Sequence, residues 1–178
     1  MSDRGRLTRR IYVASSWRNV NQPGTVRMLR DLGHEVYDFR NPAPDNSGFA
    51  WSEIDPDWIG WSSRAFRGLL NHPVAVSGFG LDFDAMQWAD TFVLDLPCGR
   101  SAHLEAGWAI GQGIPTAILL RDEGFEPELM YRMAAHLACD GYELITWLDS
   151  LTLASTTDAD ASPEAPGFGS VPAVKETR

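Results

Sequence analysis

Short apolar runs alternate with helical segments along this chain at the spacing of a parallel crossover, and that restricts the fold more than any other feature. RIYVASSW places Ile11, Val13 and Ala14 around Tyr12 as a buried strand that stops at Ser15 and Ser16. VNQPGTVRMLRDLGHE follows, with Val26, Leu29 and Leu32 at helical spacing, Pro23 near the start and Gly33 at the stop. HEVYDF is a second strand and RNPAPDNSG a loop. Strand, helix and strand within about 30 residues make a right-handed βαβ unit.

The alternation continues. WSEIDPDWIGW has turn chemistry, and SSRAFRGLLNHP reads as a short helix with Ser62 as its cap. LDFDAMQWAD is a helix with Ala85, Met86 and Ala89 on one side, so Asp82 stands at its start. TFVLDLP is a third, central strand by its uninterrupted apolar character. GRSAHLEAGWAIGQG is a helix closed by Gly113, with Glu105 in about its first turn, and IPTAILL is a fourth strand. EPELMYRMAAHL fits an amphipathic helix, and ELITWLDSL a last strand or short helix. The expected architecture is α/β: a doubly wound, mostly parallel sheet of the Rossmann or flavodoxin-like kind, with helices on both faces.

Residues 11–151 form the expected domain. Residues 1–10, with four arginines, read as a flexible basic arm, and residues 152–178 have the composition of a disordered tail. The net charge of −9 disfavours a nucleic-acid polymer, since phosphate contacts supply most of that affinity. No apolar run approaches the roughly 20 residues of a membrane span, so no membrane partner is expected. Cys98 and Cys139 make neither a metal cluster nor a disulfide framework, which points to a cytoplasmic protein. His34, His72, His103 and His136 lack paired ligands at usable spacing, so no metal is expected, nor any other cofactor. Neither GxxxxGK[ST] nor GxGxxG follows a strand, against NTPase, kinase and dehydrogenase classes.

Ligands of such a sheet sit at the carboxyl ends of its strands. There the chain places ASSWRN, DFRNPAP, PCGRSAHLE and RDEG. Asp82 and Glu105 flank the central strand, and a helix–strand–helix path can bring both to that rim. Two carboxylates in one pocket suit glycosidic cleavage, one at the developing cation and one moving a proton; two solvated helix-end acids are the plain alternative. Gly99, Arg100 and Ser101 form a strand-to-helix turn with free amides, suited to an anion, or Ser101 is simply an N-cap.

Three motifs give the chain a resemblance to the nucleoside 2-deoxyribosyltransferase family, including its nucleoside 5′-monophosphate N-glycosidase branch. RIYVASSW is similar to the family's first strand, LDFDAMQWADTFVLDLP to its acid-bearing helix and following strand, and GRSAHLEAGWAIGQGIPTAILL to its nucleophile helix. The resemblance implies Glu105 as nucleophile, Asp82 as general acid with Asp84 a close competitor, and Tyr12 orienting the nucleophile. It implies that Ser15, Ser16, Trp17, Arg18, Asn19 and Ser101 hold the sugar and any 5′-phosphate, and that His103 matches a histidine of cytidylate-cleaving relatives. It also implies a homodimer or larger homo-oligomer.

Two departures shape the expectation. Positions 99–101 carry no acid of the kind that holds a base in the transferases, which favours phosphate recognition and hydrolysis. The first loop is Ser-Ser-Trp-Arg-Asn where the hydrolases often have glycines. Residues 41–80, rich in Trp and Pro, have no counterpart and read as a lid that sets specificity. The expected function is N-glycosidic cleavage of a nucleoside or nucleoside 5′-monophosphate, by hydrolysis or deoxyribosyl transfer. Two alternatives stay open: a catalytically silent nucleotide-binding sensor, and an NAD glycohydrolase-like enzyme.

Overall fold

The computed structural model describes residues 7–121 and 126–151. Five parallel strands form one sheet: β1 (Arg10–Ala14), β2 (Glu35–Tyr37), β3 (Thr91–Asp95), β4 (Thr116–Leu119) and β5 (His136–Ala138), in the order β2-β1-β3-β4-β5. This is the doubly wound α/β order, and the chain direction across the sheet reverses between β1 and β3. All of β3 is buried, as its run of apolar residues requires of a central strand.

Helices cover both faces. Ile11, Val13, Val93, Ala117 and Leu119 turn to one face and pack with Val26 and Leu29 of α1 (Gln22–Asp31) and Leu144 and Leu148 of α5 (Gly141–Ser150). Tyr12, Ala14, Phe92, Leu94 and Ile118 turn to the other, against α3 (Pro73–Trp88) and α4 (Arg100–Gly111). The period-two alternation of each strand thus divides the core into two layers. Gly33 and Gly113, at φ +87° and +74°, end α1 and α4 in the left-handed region that glycine enters without cost.

α2 (Ser63–Leu69) is the short helix expected, with Ser62 accepting from the Ala65 amide at 3.2 Å. Several other elements differ from expectation. The following His72-Pro73 does not end that helix but starts the next: Pro73 lies in the first turn of α3 and the His72 ring accepts from the Val74 amide. α3 therefore begins nine residues before Asp82, which stands well inside it. The segment read as an amphipathic helix holds a single 3₁₀ turn, Leu129–Met133, and then β5, because Ala135 and the strand after it pair with β4. The chain after β5 is helix α5, fixed at its start by a reciprocal cap: Asp140 accepts from the Glu143 amide and Glu143 from the Cys139 amide. Of the arm, residues 1–6 lie outside the described residues, Arg9 is buried, and Arg10 opens β1. Residues 152–178 and Asp122, Glu123 and Gly124 of the expected rim also lie outside them. Among the described residues no helix is long and apolar enough to cross a membrane.

One ion pair ties the rim to α1. Asp95, fully buried at the end of β3, accepts from Arg121 at 2.9 Å and from the Thr25 hydroxyl at 2.8 Å, and Arg121 also donates to Thr25. Arg121→Met leaves the buried carboxylate with Thr25 as its one remaining partner of the two, and is expected to destabilise by about 3 kcal/mol in urea unfolding. Asp95→Asn added to Arg121→Met should recover part of that loss, since it removes the unpaired charge. A single variant as stable as wild type would show that the pair does not compensate a buried charge.

Candidate active site

The sheet brings Tyr12, Tyr37, Asp82 and Glu105 together. Tyr12 of β1 is in register with Tyr37 of β2 on one side and with Phe92 of β3 on the other. The three side chains share a face, and their rings stack with centroids 5.2 Å and 4.8 Å apart and planes inclined by 17° in each pair. These distances follow the interstrand spacing of about 4.8 Å. The row presents two hydroxyls, and each meets one carboxylate. Tyr37 donates to Oδ1 of Asp82 at 2.8 Å, and the Tyr12 hydroxyl stands close enough to Glu105 to lower its carboxyl.

The carboxylates come from facing helices. Asp82 is on α3 and Glu105 on α4, both half-buried. Glu105 is the sixth residue of α4, in its second turn rather than its first, so the helix N-terminus does little for its charge. Burial, reinforced by the charge of Asp82, pushes its carboxyl up to about 7, while the Tyr12 hydroxyl pulls the other way. Asp82 is likewise raised by burial and lowered by Tyr37. Each acid is thus desolvated and given one phenolic donor. Both phenols are held far above their ordinary range, by burial first and then by the neighbouring carboxylates, and stay protonated as donors. Asp84 is exposed and lines a depression with Glu35, Val36, Tyr37, Ala85 and Trp88.

A cavity of about 330 Å³ opens beside Asp82, lined by Tyr37, Phe39, Phe49, Glu53 and Leu81 among others. Its cover is the Trp-rich segment. Trp51 is at the centre, with Phe49 at 4.8 Å and Trp61 and Phe66 each at 5.6 Å, all edge to face. The 3₁₀ turns Trp51–Glu53 and Trp58–Gly60 and helix α2 contribute no fully buried residue, so the cover is held largely by these ring contacts. It is docked where Phe49 fits against Gly78 of α3: a Cβ there would stand 2.9 Å from the Phe49 side chain.

The loop after β1 is built differently from expectation. Ser15 donates to the Asp95 carbonyl at 2.8 Å, and Asn19, buried, donates to the same carbonyl and to Ser15. Both side chains are engaged in holding the loop to β3, and neither is free for a substrate as they stand. Ser16 accepts from the Arg18 amide, and the Arg18 side chain is exposed. Trp17 is half exposed and stands edge-on to Phe39 at 5.3 Å. The organiser is Arg40, which donates to the carbonyls of Ser16, Trp17 and Asn19 at 2.9–3.0 Å and lies 5.5 Å over the Trp17 ring. Nothing in the sequence singled out Arg40 or Tyr37; the in-register pairing of EVY with RIY is the signal that identifies Tyr37.

At the start of α4 the cap is Gly99, not Ser101, and no side chain caps it. Gly99, Arg100 and Ser101 are exposed there, with first-turn amides that can receive an anion. His103 is held at both ring nitrogens, by the Gly99 carbonyl at 2.9 Å and the Tyr131 hydroxyl at 3.0 Å. The carbonyl can only accept, so Nδ1 carries the proton and Nε2 accepts from Tyr131. Cys98 lies against the same ring, its thiol pushed up to about 12 by burial, Glu105 and Asp95, which keeps it from acting as a nucleophile.

The raised Glu105 carboxyl has a stability cost with a definite sign. An unfolded-chain glutamate titrates near 4.5 and the folded one near 7, so the folded state binds the proton more tightly. Stability from this group is complete below about pH 4.5, falls as pH rises to about 7, and is level beyond. Glu105→Gln should gain on wild type over that window, to about 3 kcal/mol at pH 8, in denaturant unfolding followed against pH. A difference independent of pH would mean that the carboxylate is not desolvated.

No family model and no curated protein matches the chain. Among solved structures it is similar to the Clostridium botulinum CMP N-glycosidase BcmB, at 17% identity over 78% of this chain and 96% of that one, with a TM-score of 0.42.

Proposed function

We propose that this protein cleaves the N-glycosidic bond of a nucleoside 5′-monophosphate, with water as acceptor. The observation that carries the reading is the paired, desolvated carboxylates Asp82 and Glu105, each with its own tyrosine hydroxyl, of which Asp82 lines a cavity large enough for a base. The exposed amides at Gly99, Arg100 and Ser101 support a phosphate as the second anchor.

In the first step Asp82 gives its proton to the base nitrogen or a conjugated ring atom. The C1′–N bond breaks with its electron pair going to the base, and the Glu105 carboxylate bonds to or ion-pairs with the cationic C1′. In the second, water attacks C1′, its proton passes to Asp82, and the Glu105 oxygen leaves with its pair. Both acids are restored. The productive form holds one proton on the pair, and positive charge growing at C1′ beside Glu105 favours the arrangement with Asp82 protonated.

The test is a panel of nucleosides, their ribo and deoxy 5′-monophosphates, and NAD, each with and without added free base, read by chromatography. Wild type is expected to release free base from a monophosphate. Glu105→Ala should lower kcat by at least about 10³-fold, and Asp82→Asn by about 10²-fold to 10³-fold, in folded proteins. Base exchange that depends on added base would replace hydrolysis with transfer. Nicotinamide release would assign an NAD glycohydrolase, and tight binding without turnover a sensor.

The pH profile is a separate check. Above about 7 the pair loses its last proton, because burial and the neighbouring charge raise the Glu105 carboxyl to that value. The kcat/KM profile should therefore decline on a basic limb near pH 7. A plateau extending to pH 9 would exclude the shared proton from the rate.

A further inference from the structure

We propose that Tyr37 is a positioning residue that decides which oxygen of Asp82 carries the transferable proton. This rests on the N-glycosidase reading above. Tyr37 donates its one hydroxyl proton to Oδ1 at 2.8 Å. With the acid proton on Oδ1 the Tyr37 hydroxyl would have to turn acceptor and give up Oδ1 as the partner of its own proton, so the arrangement that keeps this bond places the acid proton on Oδ2. Oδ1 is held and Oδ2 is the oxygen left to face a base in the adjoining cavity, which both Asp82 and Tyr37 line.

The phenol ring cannot swing away from Oδ1. Its ring is stacked on Tyr12, which is stacked on Phe92, and the stack is fixed by pairing of β2, β1 and β3 in register. Its hydroxyl stays protonated, since burial and the charges of Asp82, Glu105 and Asp38 all oppose phenolate formation. The group that delivers the proton is therefore oriented by the sheet through a single hydroxyl. The titratable groups around Asp82 are Tyr37 from β2, Tyr12 from β1, Glu105 from α4 and Glu53 across the cavity.

Tyr37→Phe keeps the stack and removes the donor. With a nucleotide substrate, kcat should fall about 10-fold to 100-fold with KM within about twofold. The basic limb of kcat/KM should move to higher pH, because the lost bond is one that lowers the Asp82 carboxyl. With a 4-nitrophenyl riboside 5′-phosphate, whose leaving group departs without protonation, the variant should match wild type within about twofold. Equal losses on both substrates, or an unmoved limb, would reduce Tyr37 to packing and overturn the proposal. Incorporating 3-fluorotyrosine at position 37 strengthens the donor at little change of volume, and should move the limb to lower pH; this arm serves if the Phe variant folds poorly. A ¹³C NMR titration of the Asp82 carboxyl reads the same bond without turnover. An upward shift in Tyr37→Phe alongside an enzyme silent on every substrate would fail the N-glycosidase reading and leave the Tyr37–Asp82 bond standing. No shift would fail the proposal by itself.

Discussion

The stacked row Phe92–Tyr12–Tyr37 is the constraint on which the site depends. Parallel strands pair at about 4.8 Å, and residues in register on one face have no freedom to stand closer or farther. Placing tyrosines at two adjacent register positions therefore presents two hydroxyls at a separation set by the backbone ladder. The carboxylate of Asp82 on α3 is held by the Tyr37 hydroxyl, and that of Glu105 on α4 faces Tyr12, so the sheet shares with the two helices in setting their geometry. Phe92 closes the row from the central strand, and its full burial makes the row part of the core. Side chains anchored this way are rigid on the sheet side of the site.

The opposite side of the site is of different character. The cover over the cavity contributes no fully buried side chain from its turns or from α2, and its edge-to-face rings sit on α3 through the Phe49–Gly78 contact. Segments of low apolar burial open at lower free energy than core strands do. Arg40 stands between the two regimes: three carbonyls of the β1 loop and the faces of Trp17 and Phe39 converge on one guanidinium. A planar group with several donors and a stacking face suits that junction, and lysine could not replace it.

Much of this was legible in the sequence, for identifiable reasons. Apolar runs at β1, β3 and β4 are continuous because those strands are buried on both faces, and they fix the α/β class. Asp82 and Glu105 were legible as a pair because the central strand lies between them in sequence. What escaped was set by tertiary context. AAHLA joins the sheet although LMYRMAAHL has helical spacing, since an open β4 edge outweighs local propensity. Pro73, the last residue of the segment expected as one short helix, opens the next one. Ser15 and Asn19 both donate to the buried Asp95 carbonyl, an engagement that depends on how β1 and β3 come together. Tyr37 was invisible because register is a property of two strands together.

The two carboxylates contrast with the buried acid at the end of β3. Burying Asp82 and Glu105 side by side, with a phenol each and no facing cation among the contacts found for them, lowers stability at neutral pH, and that energy is not recovered locally. Asp95, by contrast, is buried a strand's end away with Arg121 and Thr25 against it. A chain that compensated every buried acid would have placed an arginine against Glu105, and would then have held it permanently ionised and unable to share a proton. The two buried acid environments thus differ in their partners: one carboxylate is ion-paired and ties the rim together, and the other two, of which Asp82 lines a cavity, are each raised by burial.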